Sequence, residues 1–341
     1  MIHIDGSQGE GGGQVVRTSL ALSLVTGRAV EITQIRAGRK RPGLGRQHLT
    51  GAQAAARIGA AHAEGLAQGS QHIVFSPQAV LPGTYHFAVG TAGSASLVLQ
   101  TVLPPLLLAE GPSTLVLEGG THNPKSPPFD FLQRAYLPLV ERMGPRVTVE
   151  LERRGFYPRG GGRFIAHIEP ASALAPFDLL ERGTVLKRHA TALVVNLPRH
   201  IAEREMVVVN ESLDLRGHEM TVEVERGPGP GNVVMVEVQS GHVTEVFAGF
   251  GERGKRAEDV AHGVADEAQR YLAAGVPVGE HLADQLVLLL ALAGGGAFRT
   301  IAPSLHTRTN IAVIQSFLDV AISIDQEEED VWRIAVRQKE V

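Results

Sequence analysis

Three stretches of this chain run through the same order of elements, and that internal repeat constrains the fold more than any other feature. In the first, apolar and small residues predict a helix over 14–26, closed by Gly27, then a strand over 29–35. In the second, the helix covers 94–109, Gly111 follows, and the strand covers 113–117. In the third, the helix covers 284–293, Gly294, Gly295 and Gly296 follow, and the strand covers 297–302. Leu and small residues occupy most faces of these helices, so each should be largely buried. A more amphipathic helix comes next in every copy, over 47–63, 128–142 and 310–318. Two strands then follow, for example 147–151 with 164–167 and 320–324 with 332–336.

About 80 residues separate the first copy from the second, but about 190 separate the second from the third. The surplus of about 110 residues is the size of a small domain. It reads as strand 185–195, helix 199–213, strands 219–225, 233–239 and 243–248, then helix 256–274, with a stiff Gly-Pro turn over 227–231. The expected class is therefore α/β (α+β): a large domain, residues 1–181 and 277–341, of three two-helix, four-strand-type units, with a smaller α/β domain inserted at 182–276. Apolar content of 43% and charged content of 20% suit a soluble globular chain. No apolar run reaches membrane-spanning length, and Met1 to Gly6 lacks a basic region or signal core. The expectation is a cytoplasmic protein with no membrane partner. Cysteine is absent, which excludes disulfides, thiolate zinc sites and a Cys nucleophile.

Several motifs have chemistry to offer. Gly249 to Gly254 matches GxGxxG, and Lys255 nearly completes a P-loop. No strand ending in an acid follows, Arg256 replaces the Ser or Thr that would hold magnesium, and Glu252 would repel phosphate, so a tight turn is the better reading. Gly6 to Gln14 is glycine-rich and opens the first helix, with Arg17 one turn inside. It is either a plain turn or an anion cradle, in which Glu10 would hold a metal bridging phosphates. Net charge is −4, yet Arg36, Arg39, Lys40, Arg41 and Arg46 fall within eleven residues that contain no acid. That loop is either a solvated charged face or a binding surface for phosphate and RNA backbone. Gly119 to Phe131 is a stiff loop whose Ser126, Pro127 and Pro128 suit a helix start, and whose Pro127 and Phe131 would also present an apolar face to a base. Gly155 to Gly162 suits a hairpin turn. His306 follows the third repeat strand among Ser304, Thr307, Arg308 and Thr309. Neutral imidazole is a good nucleophile, and the other two copies have no equivalent.

Taken together, Gln8-Gly9-Glu10-Gly11-Gly12-Gly13-Gln14, Ile35 to Arg39, Pro42-Gly43-Leu44, Gln47-His48-Leu49, Gly119-Gly120-Thr121, Gly155 to Pro158, Ala202 to Glu205, Leu282 to Gln285 and His306 with Thr309-Asn310-Ile311 resemble the signatures of the RNA 3′-terminal phosphate cyclase family. The likeness covers nearly the whole chain. It implies three repeats plus a smaller insertion, in agreement with the repeat above. It also implies an ATP-dependent enzyme that converts an RNA 3′-phosphate to a 2′,3′-cyclic phosphate through AMP carried on His306 and an RNA(3′)pp(5′)A intermediate. By that resemblance Glu10 is the ligand for Mg2+ or Mn2+. Arg17, Arg36, Arg39, Gln47 and His48 match contacts to phosphate or the RNA end. Gln100, Pro127, Phe131, His281, Leu282, Ala283, Asp284 and Gln285 match the ATP pocket. A homodimer is compatible with the same likeness.

The alternative is a non-catalytic, cyclase-like scaffold for RNA binding or ribosome assembly. Such relatives lack the nucleophilic histidine, so His306 and the Asp284-Gln285 pair argue against it. A repeated enolpyruvyl transferase would need twice as many units. One departure stands out: family members usually carry Tyr where this chain has His281. Imidazole stacks on adenine with less area than a phenol ring, which implies weaker nucleotide binding with activity kept. Titration calorimetry of His281→Tyr with ATP should show tighter binding, and looser binding would remove that role from position 281.

Overall fold

In a computed structural model that describes residues 1–339, each repeat is one helix-covered sheet. The first comprises β1 (Ile2–Asp5), α1 (Gly13–Thr26), β2 (Val30–Thr33), α2 (Arg46–Ile58), β3 (His62–Glu64) and β4 (Ile73–Ser76). The second comprises β5 (Thr84–Ala88), α3 (Ala95–Leu106), β6 (Ser113–Gly119), α4 (Phe129–Phe131), a π turn over Leu132–Tyr136, α5 (Leu137–Glu141), β7 (Arg146–Arg153) and β8 (Gly162–Glu169). The third opens with β9 (Asp178–Leu179). It resumes about a hundred residues later with α8 (Glu280–Leu292), β14 (Gly295–Thr300), α9 (Leu305–Phe317), β15 (Val320–Glu328) and β16 (Val331–Gln338). Strand orders are β1-β2-β4-β3, β5-β6-β8-β7 and β9-β14-β16-β15, one topology used three times. The opening strand of each unit pairs parallel with its second strand, and the other pairings are antiparallel.

Between β9 and α8 lie β10 (Val185–Val195), α6 (Arg199–Leu213), β11 (Met220–Glu225), β12 (Gly231–Ser240), β13 (Thr244–Phe250) and α7 (Ala257–Ala274), with a one-turn 3-10 helix before β11. Their sheet, ordered β11-β10-β12-β13, has its own apolar cluster, including Ala190, Val194, Met206, Val236 and Tyr271. Gly251 to Lys255 is a turn between β13 and α7, as the failed nucleotide motif suggested.

Burial explains the sequence patterns. In α1, Val15, Leu20 and Leu22 are fully or almost fully buried, and the helix packs on α2, α3 and α9. Each such side chain contributes roughly 1.5–3 kcal/mol by leaving water. Strands β1 and β6 alternate between core and outside because only one face of each sheet is covered. No helix among the described residues is long and apolar enough to cross a membrane.

Four expectations need correction. The opening strands β1, β5 and β9 supply the fourth strand of each expected unit, but the helix–strand–helix–strand–strand order read from sequence did not place them. Helix α2 ends at Ile58, because Gly59 and Ala60, with φ of +43°, turn the chain into β3. Helix α8 starts a turn earlier than Asp284, at Glu280 after Gly279, so His281, Asp284 and Gln285 lie one turn apart on one face. Helix α9 starts at Leu305 rather than Asn310. The Ser304 hydroxyl accepts the Thr307 N–H at 3.2 Å, and this cap brings His306 into the first helical turn.

The sheet β11-β10-β12-β13 touches the start of α8 through Glu245 on β13, which accepts the Gly279 N–H at 2.6 Å. Glu245 is buried, and burial pushes its carboxyl up to about 8. Because the folded state holds this proton more tightly than the unfolded chain, the stability it carries is full below the unfolded pKa and is lost as pH rises through the folded one. Glu245→Gln is neutral at every pH. Urea midpoints should move in favour of the variant by on the order of 1 kcal/mol per unit from roughly pH 5 to pH 8. A pH-independent difference between the two proteins would show that Glu245 does not titrate there.

Candidate active site

The first helices of the three repeats converge, and a partly buried polar network fills the space that apolar side chains leave. Gln14 from α1 donates through Nε2 to Asp284 Oδ1 on α8. Gln100 from α3 donates to Gln285 Oε1, and Gln285 Nε2 faces Asp284 Oδ2 at 3.4 Å. From α9, Asn310 Nδ2 donates to the Asp284 carbonyl at 3.0 Å, while the Thr18 hydroxyl donates to Asn310 Oδ1 at 2.7 Å. Arg17 and Tyr136 complete the walls of this narrow cleft. Tyr136 reaches it from the π turn, which directly precedes Leu137 and Pro138.

His306 stands at the mouth, with about half of its side chain exposed. Its Nδ1 lies 3.0 Å from Gln14 Oε1 and 3.8 Å from Glu10 Oε2. Burial, opposed by Asp284 and reinforced by Arg17 and Arg39, holds the imidazole below its ordinary range, so it is neutral at pH 7. Burial likewise pushes Asp284 up, against the Gln14 hydrogen bond and the nearby cations. Glu10 pairs with Arg39, whose guanidinium also donates to the Glu10 carbonyl at 2.9 Å.

His48 is pushed down to about 3 by burial and then by Arg36 and Arg17, so it is neutral. Its Nδ1 accepts the Gly45 N–H at 3.1 Å, and its Nε2 is therefore the protonated nitrogen, packed against Gly13. Arg17 is lowered to about 10 by burial and remains charged at neutral pH. Arg36 donates to the Gly43 carbonyl at 2.5 Å, which folds the basic loop back on itself. Gln47 is engaged with the protein, its Oε1 accepting the Ser94 N–H at the start of α3.

A family model described as RNA 3'-terminal phosphate cyclase matches residues 8–324. The chain belongs to that family. An RNA 3'-terminal phosphate cyclase from Koribacter versatilis (strain Ellin345) is 51% identical over 341 residues, covering 100% of this chain and 96% of the relative. Those of Ectopseudomonas mendocina (strain ymp) and Ralstonia nicotianae (strain ATCC BAA-1114 / GMI1000) are 49% and 51% identical, over 99% and 96% of this chain and 98% and 94% of theirs. The enolpyruvyl transferase NikO from Streptomyces tendae is a distant structural likeness, at 13% identity and a TM-score of 0.35. It matches 95% of this chain, which spans only 46% of NikO.

Of the residues singled out from sequence, Glu10, Arg17, Arg39, Gln100, Asp284, Gln285 and His306 come together in and around the cleft. His281 is exposed on the first turn of α8. Phe131, Leu282 and Ala283 have their side chains in the hydrophobic core, so they offer a ligand backbone at most. Pro127 is half-buried in the loop that leads into α4. Sequence reasoning passed over Gln14, Thr18, Tyr136 and Asn310. Gln14 and Asn310 had a signal, being polar residues inside quoted motifs on buried helices, whereas Thr18 and Tyr136 had none.

The mouth is closed across the chain's two ends. Thr309 Oγ1 accepts the Glu10 N–H at 2.9 Å, and Gly9, with φ of +59°, lies so close that a Cβ there would collide with that hydroxyl. Gly9→Ala should lower stability by roughly 1–3 kcal/mol in urea unfolding. Adding Thr309→Ala removes the colliding group, so the double variant should lose less than the sum of the singles; strict additivity would place the strain elsewhere.

Proposed function

We propose that this chain is the ATP-dependent enzyme that its family name describes, closing an RNA 3′-phosphate to a 2′,3′-cyclic phosphate, with His306 as the group that carries AMP. The observation that carries this reading is a neutral, half-exposed imidazole at the mouth of a cleft bordered by Arg17 and Arg39. A ring nitrogen of His306 attacks the α-phosphorus of ATP, the bond to the bridging oxygen breaks, and pyrophosphate leaves. An oxygen of the RNA 3′-phosphate then takes the AMP from the imidazole and forms RNA(3′)pp(5′)A. The neighbouring 2′-hydroxyl attacks the 3′-phosphorus, its proton is lost, and AMP departs. A phosphate monoester dianion repels nucleophiles and has no good leaving group; the AMP cap supplies one, and positioning with charge neutralisation lowers the remaining barrier.

Arg17, Arg36 and Arg39 meet phosphate oxygens, with His48 as a neutral donor and Gln47 holding the start of α3 beside them. Gln100, Asp284 and Gln285 face the nucleotide, with His281 at the rim and Pro127 and the backbone of residues 282–283 as further walls. Among the described residues no three His, Cys, Asp or Glu side chains stand close enough to hold a metal on their own. Glu10 fits Mg2+ or Mn2+ in the way such ions bind nucleotides, through one carboxylate plus phosphate oxygens. A bound ion would neutralise phosphate charge there. We place residues 182–276 in an inserted domain that has its own sheet and apolar cluster.

Intact-protein mass after incubation with ATP and Mg2+ or Mn2+ should rise by one AMP in the wild type and not in His306→Ala. No adduct on a folded wild type would favour the RNA-binding scaffold instead. Because His306 lies below its ordinary range, the rate of AMP uptake should hold as pH falls from 8 towards roughly 6.5 and drop only below it. An earlier drop would mean that the imidazole titrates as in free solution.

A further inference from the structure

We infer that Gln14 is a positioning residue that sets the tautomer of His306: held by Asp284, its carboxamide oxygen accepts the Nδ1 proton and leaves Nε2 as the nucleophilic lone pair. This rests on His306 being the group that takes AMP, and it explains how that group is made ready before ATP arrives.

A carboxamide has one end that only accepts and one end that only donates. The donor end of Gln14 is committed, because Nε2 lies against Asp284 Oδ1 and a carboxylate accepts. Asp284 is surrounded by donors, with Gln285 Nε2 facing its other carboxylate oxygen and Asn310 Nδ2 on its backbone carbonyl. Gln14 must therefore turn its oxygen outward, and that oxygen meets His306 Nδ1 at 3.0 Å. Only a protonated Nδ1 makes this bond. A neutral imidazole carries a single ring proton, so Nε2 is bare, and it has no hydrogen-bond partner among the described residues. Glu10 Oε2 faces the same Nδ1 from 3.8 Å, beyond hydrogen-bond reach, and so leaves the choice to Gln14.

The choice matters because an unconstrained histidine side chain favours the proton on Nε2, which would blunt the nitrogen that reacts. The polarity also cannot invert locally. If Gln14 presented its NH2 to a bare Nδ1, its oxygen would face the Asp284 carboxylate, acceptor against acceptor, and the bond that anchors Gln14 would be lost. Gln14 is itself buried and belongs to the first turn of α1, so its own rotamer is fixed. The Thr18–Asn310 hydrogen bond one turn deeper locks α1 against α9, which keeps the Gln14 to His306 distance constant.

The direct test reads the imidazole and needs no nucleotide. In protein labelled with 15N-histidine at pH about 8, well above the ordinary histidine pKa, the two-bond 1H–15N spectrum should show His306 with a protonated Nδ1 and a bare Nε2. Loss of the signal in His306→Ala assigns it. Gln14→Met keeps the length and removes the amide. It should move His306 towards the Nε2–H form and slow AMP uptake by up to about 10,000-fold, the cost of a wrong tautomer in a serine-protease triad, while the KM for ATP changes little. Gln14→Glu can share one proton with Asp284, pointing O–H at that carboxylate and C=O at His306. It should keep the Nδ1–H form and recover a large part of the rate.

A wild type with Nε2–H would overturn the inference, and so would Gln14→Met with unchanged tautomer and rate. If Gln14→Met does not fold, Gln14→Glu decides: Nδ1–H supports the relay and Nε2–H overturns it. A wild type that shows Nδ1–H yet never takes up AMP counts against the proposed activity alone. One that takes up AMP but ignores the loss of Gln14 counts against the relay alone.

Discussion

The molecule is organised around one half-buried carboxylate, that of Asp284. Asp284 sits where the three repeats meet, half-buried at the wall of the cleft, and a carboxylate withdrawn from water is costly unless donors surround it. The donors come from different copies: Gln14 from the first, and Gln285, itself held by Gln100 of the second, from the third. Each repeat alone would leave a polar side chain in an apolar surrounding. Together they satisfy one another, so the network fixes the registration of three helices that Leu and Val contacts would allow to slide. An all-apolar centre would pack as densely, but it would offer no means of orienting a reactive group.

Charge is graded outward from that point. The deepest cation, Arg17, is lowered by burial yet keeps its proton at neutral pH, and the His48 imidazole beside it is held neutral. Nearer solvent, Arg39 is balanced by Glu10, and the loop beyond adds Lys40, Arg41 and Arg46 without acids. A ligand with several negative charges would meet these cations in succession, while the His306 imidazole at the mouth stays uncharged. A chain with net charge −4 thus concentrates attraction at one place.

Much of this was legible in the order of residues because burial leaves periodic traces. Long helices with apolar residues on most faces announced α1, α3 and α8, and the unequal spacing of copies left room for the separate sheet β11-β10-β12-β13. The three opening strands were missed because they are short, down to the two residues of β9, and they owe their extended form to a parallel neighbour within the unit. The start of α9 was misread because Pro303 and Ser304 look like loop until the cap is seen. His306 stood out by chemistry, whereas its relation to Gln14 is a contact across 292 positions that no local pattern encodes. Tyr136 faces the cleft only because of a π turn, whose extra residue per turn escapes helical periodicity.

The pairing of β9 with β14 joins Asp178 to Ala297, and the cleft joins residues up to 299 positions apart. Contacts of that range form late, because the intervening chain must first be made and then closed into a loop. During synthesis the first two units can be complete while Glu10, Gln14 and Arg17 line half a cleft with no histidine and no Asp284. A nascent or truncated chain therefore lacks the walls of the cleft that α8 and α9 supply. The cleft is complete only when α8 and α9 dock, and α9 is the element that bears His306.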